Sequence, residues 1–181
     1  MRKITNSELN RPSAEVFATM KRIPVVVVLD NVRSAQNIGA FFRTGDAFAI
    51  EKICLCGITA TPPSRDIHKS ALGAEMTVKW EYFATTVECV QNLHEQDYQT
   101  IAIEQVEGAS MLNQMDIDNT QKYALIFGNE VEGVEQAVVD LCDGAIEIPQ
   151  VGTKHSINVS VAGGVVLWEF YKSLCHTLKK D

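Results

Sequence analysis

Three short stretches carry the residue types that chemistry needs. They are Asn37-Ile38-Gly39-Ala40-Phe41-Phe42-Arg43, Phe127-Gly128-Asn129-Glu130, and Ser156-Ile157-Asn158-Val159-Ser160-Val161-Ala162. Each sets a few polar groups at the seam between an apolar strand and a helix, where α/β proteins hold their ligands. Singly, these residues read as local devices: Asn37 and Ser156 as helix caps, Arg43 as a surface or phosphate-facing charge, Gly128 and Gly133 as turn glycines. Together they describe a site. Gly128 lets backbone approach a ligand closely, and Gly133 permits a positive φ. A guanidinium at Arg43 fits a phosphate bidentately. Arg33 and Arg65 are further candidate phosphate contacts.

The elements that position these stretches follow from hydrophobic pattern. Val25–Leu29 is a continuous, mostly β-branched run, the signature of a strand buried on both faces. Further strands are expected at Ile53–Cys56, Thr77–Trp80, Thr100–Ile103, Ala124–Phe127 and Ala145–Ile148. Helices are expected at Ile38–Phe48, Ile67–Leu72, Thr86–Glu95 and Ile157–Leu178. Asn6–Met20 reads as mostly helical, divided at Pro12. Alternating strands and helices mean a parallel sheet covered on both faces. The expected architecture is therefore α/β, a three-layer α/β/α domain over residues 1–181 with six strands and a helical extension at 1–24.

Composition sets outer limits. The 181 residues fit one domain with an ordinary core. No apolar run approaches a membrane span, and the first residues lack a signal-peptide core, so a cytoplasmic protein without a membrane partner is expected. Five cysteines, an odd count, argue for free thiols, and no Cys/His pairs stand at zinc spacing, so no metal is expected. The net charge of −7 argues against nucleic acid on its face. Yet Arg2, Lys3, Arg11, Lys21, Arg22, Arg33 and Arg43 crowd the first quarter, while Glu81–Glu147 holds only Lys122 against many acids. A basic face on an acidic body fits this distribution. No strand is followed by Gly-x-Gly-x-x-Gly, and no Gly-x-x-x-x-Gly-Lys-Ser/Thr occurs, which weighs against dehydrogenases, NTPases and ordinary Rossmann methyltransferases.

The three stretches, in their order, resemble the SpoU branch (the TrmH family) of the SPOUT methyltransferases. The family's Asn-x-Gly-x-x-x-Arg motif is matched by Asn37, Gly39 and Arg43. Its Gly-x-Glu with a nearby Gly is matched by Gly128, Glu130 and Gly133. Its Ile-Pro followed by Ser-x-Asn-x-Ser-x-Ala is matched by Ile148, Pro149, Ser156, Asn158, Ser160 and Ala162. The resemblance runs from about Val25 to about Tyr171.

It implies a C-terminal trefoil knot, S-adenosyl-L-methionine as cofactor, a homodimer, and methylation of a ribose 2′-hydroxyl in tRNA or rRNA. Cofactor contacts are then expected from Ile103, Glu104 and Gln105, from Gly128 and Glu130, and from Ile148, Ser156 and Ile157. Arg43, Asn37, Ser156 and Asn158 are the expected catalytic group, with Arg43 facing the ribose and phosphate and Asn37 holding Arg43. Glu130 is expected to shape the site from a helix terminus. RNA contacts are expected from Arg33, Arg43, Arg65 and Lys154. Arg43 serves either as general base or as a charge that steadies the developing alkoxide. The short segment before Val25 favours a compact tRNA enzyme over an rRNA one. Two alternatives use the same fold: a non-catalytic RNA-binding or assembly protein, and a base-directed RNA methyltransferase.

Overall fold

A computed structural model describes residues 1–178; residues 179–181, the end of the expected domain, lie outside the described residues. After a short 3-10 turn at Asn6–Leu9, the chain forms α1 (Ala14–Thr19), β1 (Ile23–Asp30), α2 (Ala35–Ala47), β2 (Ile50–Cys56), α3 (Arg65–Ala71), β3 (Lys79–Phe83) and α4 (Thr86–Glu95). It continues through β4 (Tyr98–Ile103), β5 (Ser110–Met111), β6 (Lys122–Phe127), α5 (Gln136–Val139), β7 (Gly144–Glu147) and α6 (Val159–Leu174).

All strand pairings are parallel, in the order β3-β2-β1-β6-β4-β7-β5. The sheet has seven strands among the described residues, not the six expected. The extra one, β5, is two residues long and pairs Ser110 with Ile146 and Met111 with Glu147. Two residues carry no periodicity, so only pairing with β7 makes them a strand. The third strand lies two residues beyond its expected start. Thr77 ends a 3-10 turn instead, and its hydroxyl donates to Asp46 Oδ1 (2.5 Å) and to the Ala74 carbonyl (3.1 Å).

The strands alternate between two cores, as the two-residue period of a pleated strand requires. Val25, Val27 and Leu29 of β1 join Ile53, Leu55, Leu125 and Phe127 on one face, under α2, α3 and α6. Val26 and Val28 join Cys54, Cys56, Ala124 and Ile126 on the other, under α4 and α5. Both faces are filled, which gives the three-layer arrangement. Each fully buried aliphatic side chain contributes about 1.5–3 kcal/mol. All five cysteines are free thiols.

The strand order places the functional stretches. From β1 the chain steps outward to β2 and β3, then crosses to β4, and β6 later fills the gap between β1 and β4. Where winding direction reverses, loops diverge at the carboxyl ends of the strands and open a crevice. The ends of β4, β6 and β7 stand side by side there.

Candidate active site

One cleft of about 450 Å³ opens at that crevice. Its lining includes Ile103, Glu104 and Gln105 after β4, Gly128 and Glu130 after β6, and Ile148, Ser156 and Ile157 after β7. Every residue expected to contact a cofactor thus lines a single cavity of ligand size. Asn158 lines it as well, but Asn37 and Arg43 do not, nor do Arg33, Arg65 and Lys154.

The loop after β6 forms the inner wall. Asn129 and Gly133 exchange two backbone hydrogen bonds of 3.1 Å each, closing a tight turn. The Asn129 side chain accepts from the backbone N–H groups of Val131 and Glu132, both at 2.8 Å. Gly133 has φ 72°, as its place in the turn requires. A Cβ on Gly128 would collide with the backbone of Gly133 and Val134. Glycine at 128 is therefore a packing requirement of the loop itself. Gly39 meets the same need on α2: a Cβ there would strike the Ile67 carbonyl of α3.

The three motifs meet in one hydrogen-bond network. Glu130 accepts from the backbone of Arg33 (3.2 Å) and Ser34 (3.1 Å) and from Asn37 Nδ2 (2.8 Å). The buried Asn37 in turn offers its Oδ1 to Asn158 Nδ2 (3.2 Å) and to the Ser160 hydroxyl (3.2 Å), which it shares with the nearer Asn158 Oδ1 (2.7 Å). Asn158 Oδ1 caps α6 by accepting from Ser160 N (2.9 Å) and Val161 N (3.3 Å). Glu130 so binds the free N–H groups at the start of α2, where a carboxylate is favoured. Partial desolvation pushes its carboxyl up, but the bonds from Asn37, Arg33 and Ser34 outweigh this and hold it below the usual 4.5.

Two expected roles change. Asn37 does not hold Arg43, because both ends of its amide are engaged by Glu130, Asn158 and Ser160. Six residues along a helix also carry Arg43 about 9 Å further and round to another face. Arg43 is exposed and, among the described residues, its side chain has no hydrogen bond or ion pair. The helix cap at the third motif is Asn158 rather than Ser156, since α6 begins at Val159. Ser156 stands exposed at the cleft rim. Arg33, Arg65 and Lys154 are exposed too, on three separate segments.

Asp30 belongs to none of the three motifs. It is almost fully buried at the end of β1 and accepts hydrogen bonds from Asn31 Nδ2, the Thr86 hydroxyl and the Glu135 backbone N–H. The available signal was a carboxylate directly after a strand buried on both faces, a place where a charge demands partners.

A parallel α/β sheet with a cleft at its carboxyl ends, walled by three loops that a shared polar network ties together, defines an α/β ligand-binding protein of the reversed-winding kind. The chain belongs to the SpoU rRNA Methylase family, whose model matches residues 24–168. It is 28% identical over 155 residues to the 23S rRNA (guanosine-2′-O-)-methyltransferase RlmB of Bordetella pertussis, covering 86% of this chain and 62% of that protein. It is 29% identical over 163 residues to the tRNA (guanosine(18)-2′-O)-methyltransferase of Thermus thermophilus, covering 90% of this chain and 82% of that one. Among solved structures, the AdoMet-bound rRNA methyltransferase from Sinorhizobium meliloti superposes with a TM-score of 0.77 at 25% identity, over 91% of this chain and 61% of that one. The chain thus spans about three fifths of the length of several relatives it matches. Among the described residues no helix is long and apolar enough to cross a membrane, and no cluster of side chains is arranged to hold a metal.

Proposed function

We propose that the chain transfers a methyl group from S-adenosyl-L-methionine to a ribose 2′-hydroxyl of structured RNA, with tRNA favoured over rRNA. The observation that carries this reading is the network Glu130–Asn37–Asn158–Ser160, which locks all three motifs around one cleft. The relatives add support from both substrate classes, since one acts on rRNA and another on tRNA by name.

The cleft suits this cofactor. Gly128 and Ile148 line the cavity, and Glu104, Glu132 and Glu147 give its lining a negative character that favours a sulfonium cation. When bound there, the cofactor supplies an electrophilic methyl carbon. The ribose oxygen must attack in line, forming a C–O bond as the S–C bond breaks, and must release its proton. Ser156 and Asn158, at the rim, orient the acceptor. Arg43, which stands outside this cleft, steadies the alkoxide and the neighbouring phosphate of an acceptor held at the cleft of a second copy. Arg33, Arg65 and Lys154 contact the RNA backbone.

The homodimer and the trefoil knot belong to the same reading. Val161, Val165 and Trp168 of α6 are 55%, 42% and 50% exposed and form one stripe at helical spacing, a face a second copy would cover. Support for the knot comes from the family match, and the loops after β4 and β7 lie in contact, with Gln105 Nε2 donating to the His155 carbonyl (3.0 Å).

The test is transfer of labelled methyl from S-adenosyl-L-methionine to cellular RNA, followed by digestion to nucleosides. Label in 2′-O-methyl nucleosides is expected. Label in methylated bases points to the base-directed alternative, and cofactor binding without any transfer points to the assembly protein. Arg43→Ala should lower the transfer rate by about a hundredfold or more, as loss of a transition-state donor does. Its unfolding midpoint should not move, because the Arg43 side chain bonds nothing among the described residues.

A further inference from the structure

The inner wall of the cleft hangs on carboxylates from the two strands that flank β6. The loop turns back at Gly133, and its next two N–H groups are each taken by a side chain. Val134 N donates to Glu104 Oε2 (3.0 Å), at the end of β4. Glu135 N donates to Asp30 Oδ2 (2.9 Å), at the end of β1. The sheet order β1-β6-β4 sets these carboxylates on opposite sides of the strand that carries the loop. Glu104 lines the cleft and Asp30 does not.

We propose that Asp30 is a positioning residue for cofactor binding: its carboxylate sets the return leg of the 128–135 loop, and thereby the wall the cofactor packs against. Its burial supports this. A carboxylate withdrawn from water is retained only where several donors converge on it. Here the other oxygen takes Thr86 Oγ1 of α4 (2.5 Å) and Asn31 Nδ2 (2.9 Å). Asn31 Oδ1 then accepts from Ile58 N (3.1 Å) in the loop after β2. One side chain thus ties the cleft loop to β1, α4 and the β2 loop. Val134, between the two clamped N–H groups, is itself buried in the core.

The two oxygens allow a clean experiment. The inference rests on the cleft binding S-adenosyl-L-methionine, so wild-type binding is measured first by calorimetry. Asp30→Asn keeps the shape of the side chain but cannot serve all three donors. Glu135→Pro removes the N–H at a residue whose φ of −57° already suits proline. Thr86→Val removes the hydroxyl on the side away from the loop. The cofactor Kd should rise about tenfold in Asp30→Asn and Glu135→Pro, the size of effect expected from a hydrogen bond to a charged group. The methyl-transfer rate at saturating cofactor should stay within about twofold. Thr86→Val should lower the unfolding midpoint and leave the Kd unchanged. Amide exchange should quicken across 128–134 in the first two variants only. If Glu135→Pro and Thr86→Val shift Kd and midpoint alike, Asp30 is merely structural and the proposal falls. If the wild type binds no S-adenosyl-L-methionine, the functional reading falls, while the exchange pattern still decides whether Asp30 holds the loop.

Discussion

The cleft has two unlike walls. The loop after β6 is fastened at nearly every residue: Asn129 and Gly133 bond each other, Asn129 caps its own turn, Val134 and Glu135 are clamped, and Glu130 reaches α2. The loop after β7, from Pro149 to Ile157, is exposed throughout. Among the described residues its one hydrogen bond is from Gln105 to the His155 carbonyl. The first wall is shaped before any ligand arrives, and such preorganisation avoids an ordering cost on binding. The second leaves its backbone groups for water, a ligand or RNA. The proposed methyl transfer to RNA gains from this division, with one rigid register and one adaptable face.

Breaking the fastened wall should have the largest effect. Gly128→Ala forces the turn apart, because its Cβ has no room beside Gly133 and Val134. We expect a stability loss of about 1–3 kcal/mol, read by chemical denaturation, together with loss of measurable cofactor binding in calorimetry. Removing the tie between walls comes next. Asn37→Ala deletes the bonds to Glu130, Asn158 and Ser160 and should cost about 1–3 kcal/mol in denaturant titration. Asn37→Asp should not restore it, since a carboxylate would face Glu130.

A smaller, pH-dependent effect should follow from Glu130. Its folded carboxyl lies below the usual 4.5, so the stability it adds is complete above 4.5 and lost as pH falls through the folded value. The stability difference between wild type and Glu130→Gln should therefore shrink as denaturation is measured at decreasing pH below 4.5. The smallest effect belongs to the other wall. Thr153→Ala in the exposed loop should change unligated stability by no more than about 0.5 kcal/mol. A large loss there would show that the loop is internally held and that the contrast is wrong.

Much of this was legible in the chain. The β1 run Val25–Leu29 lies fully buried, and α4 occupies Thr86–Glu95 as its apolar spacing indicated. These segments are long and strongly patterned, so local preference and burial agree. Phe170 could not be told from Trp168 by pattern: Phe170 is fully buried, while Trp168 is half exposed and stacks on Tyr171 at 5.9 Å between ring centroids. Both stand on one helix, and only the packing of α6 on the sheet, where Phe170 meets the Tyr123 ring at 5.0 Å, separates them.

By itself the sequence determined the α/β class, the strand cores and the three stretches whose polar residues belong at strand ends. Those depend on near-neighbour pattern, which one chain displays in full. The tertiary structure alone decided that Asn37 answers to Glu130, 93 positions away, and to Asn158, 121 positions away, rather than to Arg43 on its own helix. It alone decided that Asp30 holds Glu135 across 105 positions. The physical reason is that a buried polar group takes whichever partner the packed chain brings within about 3 Å, and sequence distance says nothing about which one that is.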